Sequence, residues 1–592
     1  MPFSQPSLSQ VRVGGVRWSV DPALQHSFLD HAGLRLPHWL SAGQAHVVKQ
    51  GPHRVVYRVE LPGLCFYLKH NRVTDTRTWI RQLVRPSKAR QEFDKALAVA
   101  ARGVPTIAPL ALGEQPARHG GESFLITRGL EACEPLNAFL ARTLSRLDPL
   151  RRTRVRQRLA EELGRLVARI HDAGILHNDF HAGNLLVHLG AHDAIALYLI
   201  DLDAVRVGKP LDWPTTLDNL VMLNSWFVLR VNRADRLRFW SAYFRARGLG
   251  KWGIGPRANR RHMQVAEEIE ARTWQFNLNF WRRRDARCLK SNRYYCRLRG
   301  RGVVGHAVTE LDRGNLTALV NDPDEPFRRP GIRLLKNGPS STVAELEMMV
   351  DGKLRKVIYK RFRVTSMLEP FISLVRRTPA VRSWAHGQGF RERALPTARP
   401  LAVLHRTRWG LRTEGYLLTE KIEHAEELHR HLESLRRLPD GERLAASRSL
   451  IDRIARIIRD LHARQLSHRD LKASNILVRR LDAPPIAAAP ADSNQPLNLL
   501  HMPEASIWLI DLVGVELFRR LPLRRKIQNL ARLNASFHHK PHVTMKDRLR
   551  FLRTYLHGDL HGRESWKKWW KLIERATQEK AARNRRHGRP LE

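Results

Sequence analysis

The chain has 592 residues, too many for one hydrophobic core, so two or more domains are expected. Its hydrophobic content of 43% suffices for a sizeable core in each, and 103 Lys and Arg against 57 Asp and Glu leave a net charge of +46. That charge is spread along the whole chain, which argues against a single disordered basic arm and calls for an anionic partner, either nucleic acid or an anionic membrane face. Four cysteines, Cys65, Cys133, Cys288 and Cys296, exclude a disulfide scaffold and match no zinc spacing, pointing to a reducing compartment. The N-terminus lacks the apolar stretch of a signal peptide, and no window of about 18 apolar residues suggests a spanning helix.

In chain order, residues 1–40 read as an irregular lead-in. Lys49 opens K-x-G-P, and the alternating segment "CFYLKH" then predicts a strand carrying Lys69. A helix follows with Glu92, 13 residues before Pro105 of "RGVPTIAPLA". Apolar residues at helical spacing (Leu159, Leu163, Leu166, Val167, Ile170) predict a long helix that ends at Gly174, a residue suited to a helix C-terminus. Next comes "ILHNDFHAGNLLV" with His177, Asp179, His181 and Asn184, then the apolar strand "LYLIDLD" closing on Asp201. Helices are expected over 215–285, where Asp218 reads as a helix cap. Residues 291–331 are expected to be a linker and the start of a second unit, with "NDPDEPFRRPG" as its linking segment.

The same order then recurs. "KNGPSSTVAEL" opens at Lys336, the strand "KVIYKRF" carries Lys360, and "RALPTARPLA" follows. A helix with Leu450, Ile451, Ile454, Ile457, Ile458 and Leu461 precedes "LSHRDLKASNILV", which holds His468, Asp470, Lys472 and Asn475, and "IWLIDLV" closes on Asp511. Lys69 precedes Asp179 by 110 residues and Lys360 precedes Asp470 by the same 110; Asn224 and Asn534 each lie 23 residues past their strand-end Asp. A repeat this long is a duplicated domain rather than a solenoid unit. The expected limits are 41–290 and 332–575, with the low-complexity insertion 483–496 disordered and 576–592 a basic tail. "WKKWWK" (Trp566 to Lys571) is amphipathic and suits either core packing or an interfacial anchor.

Phosphoryl transfer needs a cation on the nucleotide phosphates, oxygen ligands for magnesium and a carboxylate to orient the acceptor hydroxyl. A strand lysine, then H-x-D-x-x-x-x-N, then an Asp ending an apolar strand is the order in which kinases supply these groups. Each half therefore predicts a two-lobed α+β unit, strands first and helices after. His177 and His468 read as structural residues holding their loops.

In "HNDFHAGNLLV…LYLIDLD", in "HRDLKASNILV…IWLIDLV", in the P-T segments after each lysine and in the "NL..LN.S" helices, the chain resembles the lipopolysaccharide core kinases (the Kdo and heptose kinases) of the protein-kinase-like superfamily. The resemblance spans roughly residues 45–285 and 305–560 and implies two tandem bilobal domains, each a β-rich N-lobe and an α-helical C-lobe. Carried over by position, it implies Asp179 and Asp470 as catalytic bases, Asn184, Asp201, Asn475 and Asp511 as magnesium ligands, and Lys69 and Lys360 on the phosphates of ATP, with Glu92 pairing Lys69. The second copy departs at the Glu92 position, where Ser383 stands, and Glu392 lies on the wrong turn to replace it. The Asp that ends each apolar strand is followed by Leu-Asp or Leu-Val, never Phe-Gly, which argues against a protein-kinase type of activation switch.

The function these features imply is ATP- and magnesium-dependent phosphorylation of a hydroxyl, a sugar hydroxyl by resemblance, on an anionic cell-envelope glycolipid. The protein would act in the cytoplasm, peripheral to the inner membrane's cytoplasmic face. The alternatives are a protein kinase or kinase–pseudokinase pair, for which "HRDLKASN" argues, and a nucleic-acid-binding protein on a degenerate kinase scaffold. Retention of all four chemical positions argues against the last.

Overall fold

The computed structural model describes residues 8–51, 53–73, 85–116, 121–248, 256–300, 302–364, 366, 368–481, 483, 506–537, 543–557 and 566–588. The chain divides between Asn277 and Leu278 into two compact units. The insertion expected at 483–496 lies, apart from Ala483, outside the described residues.

The first unit opens with an antiparallel seven-stranded sheet, ordered Ser9–Val13, Val16–Val20, Pro109–Glu114, Ser123–Arg128, Leu64–Asn71, Arg54–Leu61, Ala45–Gln50. Alternation along these strands turns Val55, Tyr57, Val59, Phe66 and Leu68 inward, where they pack with Trp18, Trp39 and Phe28. The helix Lys88–Ala101, capped by the Ser87 hydroxyl, lies against the sheet through Phe93. A mainly helical half follows. Its long helix Pro149–Asp172 starts at Asp148, whose carboxylate accepts from the Leu150 and Arg151 amides, and buries Leu159, Leu163, Val167 and Ile170. The second unit repeats the plan. Its sheet runs Tyr295–Gly300, Val303–Val308, Pro400–Arg408, Leu411–Glu420, Lys353–Phe362, Ser341–Val350, Arg333–Asn337. Helices Pro379–Glu392 and Asp440–Ala463 stand where Lys88–Ala101 and Pro149–Asp172 stand in the first.

Several expectations are corrected. Residues 9–20 are no irregular lead-in: "VRVGGVRW" is a hairpin whose Gly14–Gly15 turn has φ of +60° and +74°, conformations that favour glycine and match the twist of the flanking strands. Residues 295–308 are likewise two strands of the second sheet. The segment 321–331 is fixed to that sheet, not a free linker, because Asp324 pairs with Arg361 (2.9 Å) and Arg406 (2.8 Å) and the Tyr359 hydroxyl donates to the Pro323 carbonyl. Residues 576–586 are no tail, since the helix Trp566–Arg586 runs on through them and buries Thr577 and Ala581. Trp569 in that helix is 5% exposed and belongs to the core of the helical half, so core packing is its role. Asp212, not Asp218, caps the helix Trp213–Phe227, accepting from the Thr215 amide at 3.0 Å.

Candidate active site

Lys69 sits on the inner strand Leu64–Asn71, paired on both sides, so backbone hydrogen bonds hold its direction. Its ammonium forms an ion pair with the Glu92 carboxylate on the adjacent helix; Glu92 also receives Arg54 at 3.3 Å. The pair is largely buried, with the side chains 18% and 9% exposed, so each member depends on the other's charge.

The loop after the long helix is built by three fixed residues. Gly174, at φ +70°, ends the helix where a Cβ would meet the Gly208 carbonyl at 2.2 Å. His177 is wholly buried, its Nδ1 accepting from the Asp179 amide (3.2 Å) and its Nε2 facing the Ile200 carbonyl (3.4 Å); burial holds its pKa below the usual value, so the ring is neutral. Asn184 donates to the Asp179 carbonyl at 2.8 Å, and its own carbonyl accepts from the Ile200 amide at 3.0 Å. These bonds tie the Asp179 loop to the residue before Asp201. Asp201 itself lies at φ +58°, ψ +56°, a left-handed conformation that Asp tolerates better than most residues. The Asp179 carboxylate is 69% exposed, 3.6 Å from His181, and that ring holds its pKa below the usual carboxylate range.

The second unit reproduces the loop. Asn475 donates to the Asp470 carbonyl (2.8 Å) and carboxylate (3.0 Å), the Ile510 amide donates to the Asn475 carbonyl, and Asp511 adopts φ +56°, ψ +61°. The buried His468 faces the Ile510 carbonyl at 3.2 Å and, like His177, is kept neutral by burial. Gln465 takes the Gly174 position at φ +62°, its side chain accepting from the Leu521 amide. The lysine differs. Ser383 is buried on the helix where Glu92 stands in the first copy, and Glu392 pairs instead with Arg284 at 2.8 Å. Lys360 accordingly pairs with Asp511 at 3.1 Å.

Sequence reasoning passed over two supports. The P-T segments act as clamps: Thr106 donates to the Leu199 carbonyl and Thr397 to the Leu509 carbonyl, each at 2.7 Å, while the Pro105 and Pro396 carbonyls accept from the same leucines' amides. Asn219 and Asn529, in the "NL..LN.S" helices, brace the loops from below. Asn219 donates to the His177 carbonyl (2.8 Å) and lies 3.1 Å from His171, which reaches Tyr243; Asn529 accepts from the His468 amide (2.9 Å) and lies 3.2 Å from His462, which reaches Tyr555. Their signal was the equal placement of both motifs in the two halves.

Each copy thus carries a strand lysine and ties an exposed loop carboxylate, through its partner amide, to the residue before a strand-end carboxylate; in the second copy the lysine reaches that carboxylate directly. The oxygens of Asn184 with Asp201, and of Asn475 with Asp511, are hard donors of the type magnesium takes. Among the described residues no three or more His, Cys, Asp or Glu cluster as a metal site.

A β-sheet lobe, a helical lobe and this set between them define the class: a protein-kinase-like fold, present twice. The chain belongs to the lipopolysaccharide kinase (Kdo/WaaP) family, whose model matches residues 49–243 and again 356–555. It is 28% identical over 218 residues to the lipopolysaccharide core heptose(I) kinase WaaP of Pseudomonas aeruginosa, an alignment covering 35% of this chain and 79% of that protein. A solved structure, WaaP in complex with acyl carrier protein, aligns over 43% of this chain and 99% of its own at 24% identity, with a TM-score of 0.31. Membership of a kinase family makes phosphoryl transfer the class of chemistry.

Proposed function

We propose that the protein transfers the γ-phosphoryl group of ATP to a sugar hydroxyl of an anionic envelope glycolipid, with Asp179 and Asp470 as the bases of two sites. The reading rests on one observation: in each copy the Asn side chain donates to the carbonyl of the loop Asp, and the Asn backbone carbonyl accepts from the residue before the strand-end Asp, so the three groups are tied into one loop. The similarity to a lipopolysaccharide core heptose kinase supports the acceptor class.

Lys69 and Lys360 would grip the nucleotide phosphates, and Asn184 with Asp201, and Asn475 with Asp511, would hold magnesium. The metal supplies neutralisation of the phosphate charge. Asp179 aligns the attacking hydroxyl and accepts its proton as the new P–O bond forms and ADP departs; the His181 ring beside it favours its ionised form. The protein's contribution is positioning and charge. Among the described residues no helix is long and apolar enough to cross a membrane, and the +46 charge supports a peripheral place on the anionic cytoplasmic face of the inner membrane.

A second reading, an active first unit with a regulatory second, is favoured by Ser383 and by the Lys360–Asp511 pair. Transfer from radiolabelled ATP to purified core glycolipid, by Asp179→Asn and Asp470→Asn variants, separates the two. Two active sites predict partial loss in each single variant and complete loss in the double. Loss of all transfer with Asp179→Asn alone makes the second unit a regulator, and full transfer by the double variant overturns the kinase reading.

A further inference from the structure

The two loops share the Asn-to-Asp-carbonyl and Ile-to-Asn bonds but not their electrostatic surroundings. In the second unit six cations gather about the Asp470 loop: Lys472, Arg532 on the helix Leu523–Ala535 and Lys580 on the helix Trp566–Arg586 act on Asp470, and Arg469, Arg525 and Arg583 stand around Arg532. The first unit can be aligned residue by residue, because Asn224 donates to Thr273 and Asn534 to Thr577, each at 3.1 Å, and these twin bonds fix the register of the helices. At the six matching positions the first copy of the sequence has Asn178, His181, Thr215, Met222, Phe276 and, just past the boundary between the units, Asn279, none of them a permanent cation. The register also sets Arg206 against Glu516 and Asp218 against Gln528.

Glu516 accounts for two of the six, pairing with Arg469 at 3.3 Å and Arg525 at 3.6 Å. Lys472 lies 3.5 Å from the Asp470 carboxylate. Among the described residues Arg532, Lys580 and Arg583 have no carboxylate partner in an ion pair. The Arg532 Nη1 is buried and makes no hydrogen bond, an arrangement that costs free energy unless an acceptor arrives. Burial, and then Arg532 beside it, hold the Lys580 pKa down, with Lys472 and Arg583 adding to the effect and Asp470 opposing it. A magnesium ion gives no reason for such a group, since cations repel it. All three side chains belong to the helical lobe, whereas Lys360, the residue placed to hold nucleotide phosphates, belongs to the sheet.

We propose that the second site takes an acceptor that already carries phosphate groups, which seat on Arg532, Lys580 and Arg583 while a neighbouring hydroxyl meets Asp470, whereas the first site takes an acceptor with no such requirement. The proposal rests on the kinase reading of the second copy. It also gives the two sites an order, because a molecule phosphorylated at the first site is of the class that the second is charged to accept. In the second transfer the acceptor oxygen bonds to the γ-phosphorus, ADP leaves, and the hydroxyl proton passes to Asp470.

The test uses the full chain carrying Asp179→Asn, so that only the second site acts, and the Asp470→Asn chain as its counterpart. The acceptors are deacylated lipopolysaccharide core oligosaccharide and the same material dephosphorylated with hydrogen fluoride, which keeps its sugar carboxylates. The second site is expected to lose at least ~10-fold in kcat/KM on the dephosphorylated acceptor, the worth of one good charge-assisted contact, while the first changes less than about twofold. Arg532→Met with Lys580→Gln, added to Asp179→Asn, should raise KM for the phosphorylated acceptor ~10-fold and leave KM for ATP in place. Equal use of both acceptors by the second site, or an unmoved KM, overturns the proposal. Direct binding of both oligosaccharides to the Asp179→Asn, Asp470→Asn double variant is the parallel readout. Phosphate-dependent binding by the double variant, with no transfer by the Asp179→Asn chain, would sink the kinase reading of this copy and keep the assignment of the cationic group. Equal binding of the two, or tighter binding of a single-stranded RNA that the Arg532 and Lys580 changes abolish, would sink the assignment itself.

Discussion

Lys69 and Lys360 hold one strand position in two copies but face different carboxylates. Lys69 is held by Glu92 on the helix, whereas Lys360 leans on Asp511 in the absence of a helical carboxylate. Breaking a buried pair by removing one charge costs about 3 kcal/mol, because the survivor stays desolvated and unpaired. In the Asp470→Asn background, Glu92→Gln is therefore expected to lower kcat/KM for ATP by roughly 100-fold. The corresponding Ser383→Ala change, made with Asp179→Asn, should leave ATP kinetics within about twofold, because Ser383 supplies no charge to Lys360. Steady-state kinetics with ATP varied would decide, and equal sensitivity of the two units would contradict the asymmetry.

At the scale of elements, each loop is carried by a helix through a buried histidine. Burial pushes His171 down to about 3 and His462 down to about 4, although each keeps an asparagine and a tyrosine as neutral partners. The unfolded chain binds protons at these histidines once pH falls below about 6.5, while the folded chain does not. Their contribution to stability is full above that value and is lost progressively as pH falls toward 4 and 3. Each could cost the fold up to roughly 3 kcal/mol by pH 4. The thermal midpoint should accordingly fall by several degrees between pH 7 and pH 4.5, and a flat profile would show these rings to be exposed. The loops and lysine strands were legible in the sequence because their spacing is fixed by chemistry. The hairpin at 9–20 was legible too, in its Gly-Gly turn between alternating residues, but the expectation there followed the irregular flanks. The cationic group around Asp470 was not, because its members come from a loop and two helices far apart in the chain, and "RLPLRRK" by itself reads as a solvated face.

For the whole molecule, the basic residues behind the +46 charge are spread along the chain, so the attraction to an anionic surface is a sum over many of them. Basic residues near an anionic bilayer contribute about 1 kcal/mol each, screened within roughly 10 Å at 0.1 M salt. Sedimentation with phosphatidylglycerol vesicles is expected at 50 mM salt and should be lost by 500 mM, with little binding to neutral phosphatidylcholine. Salt-resistant binding to neutral vesicles would instead point to apolar insertion. The duplication accounts for the rest of the architecture: both sheets have the same strand order, and both helical halves use the same asparagines.

The left-handed turn at Asp201 and Asp511 has a consequence for how such a chain ages under mutation. Glycine would relieve the local strain at either position, as it does wherever an L side chain is forced to positive φ. A copy relieved of its chemistry would therefore find a more stable fold one substitution away. Both copies instead keep a carboxylate at this bend and carry its backbone cost, as the metal-holding role proposed for Asp201 and Asp511 requires.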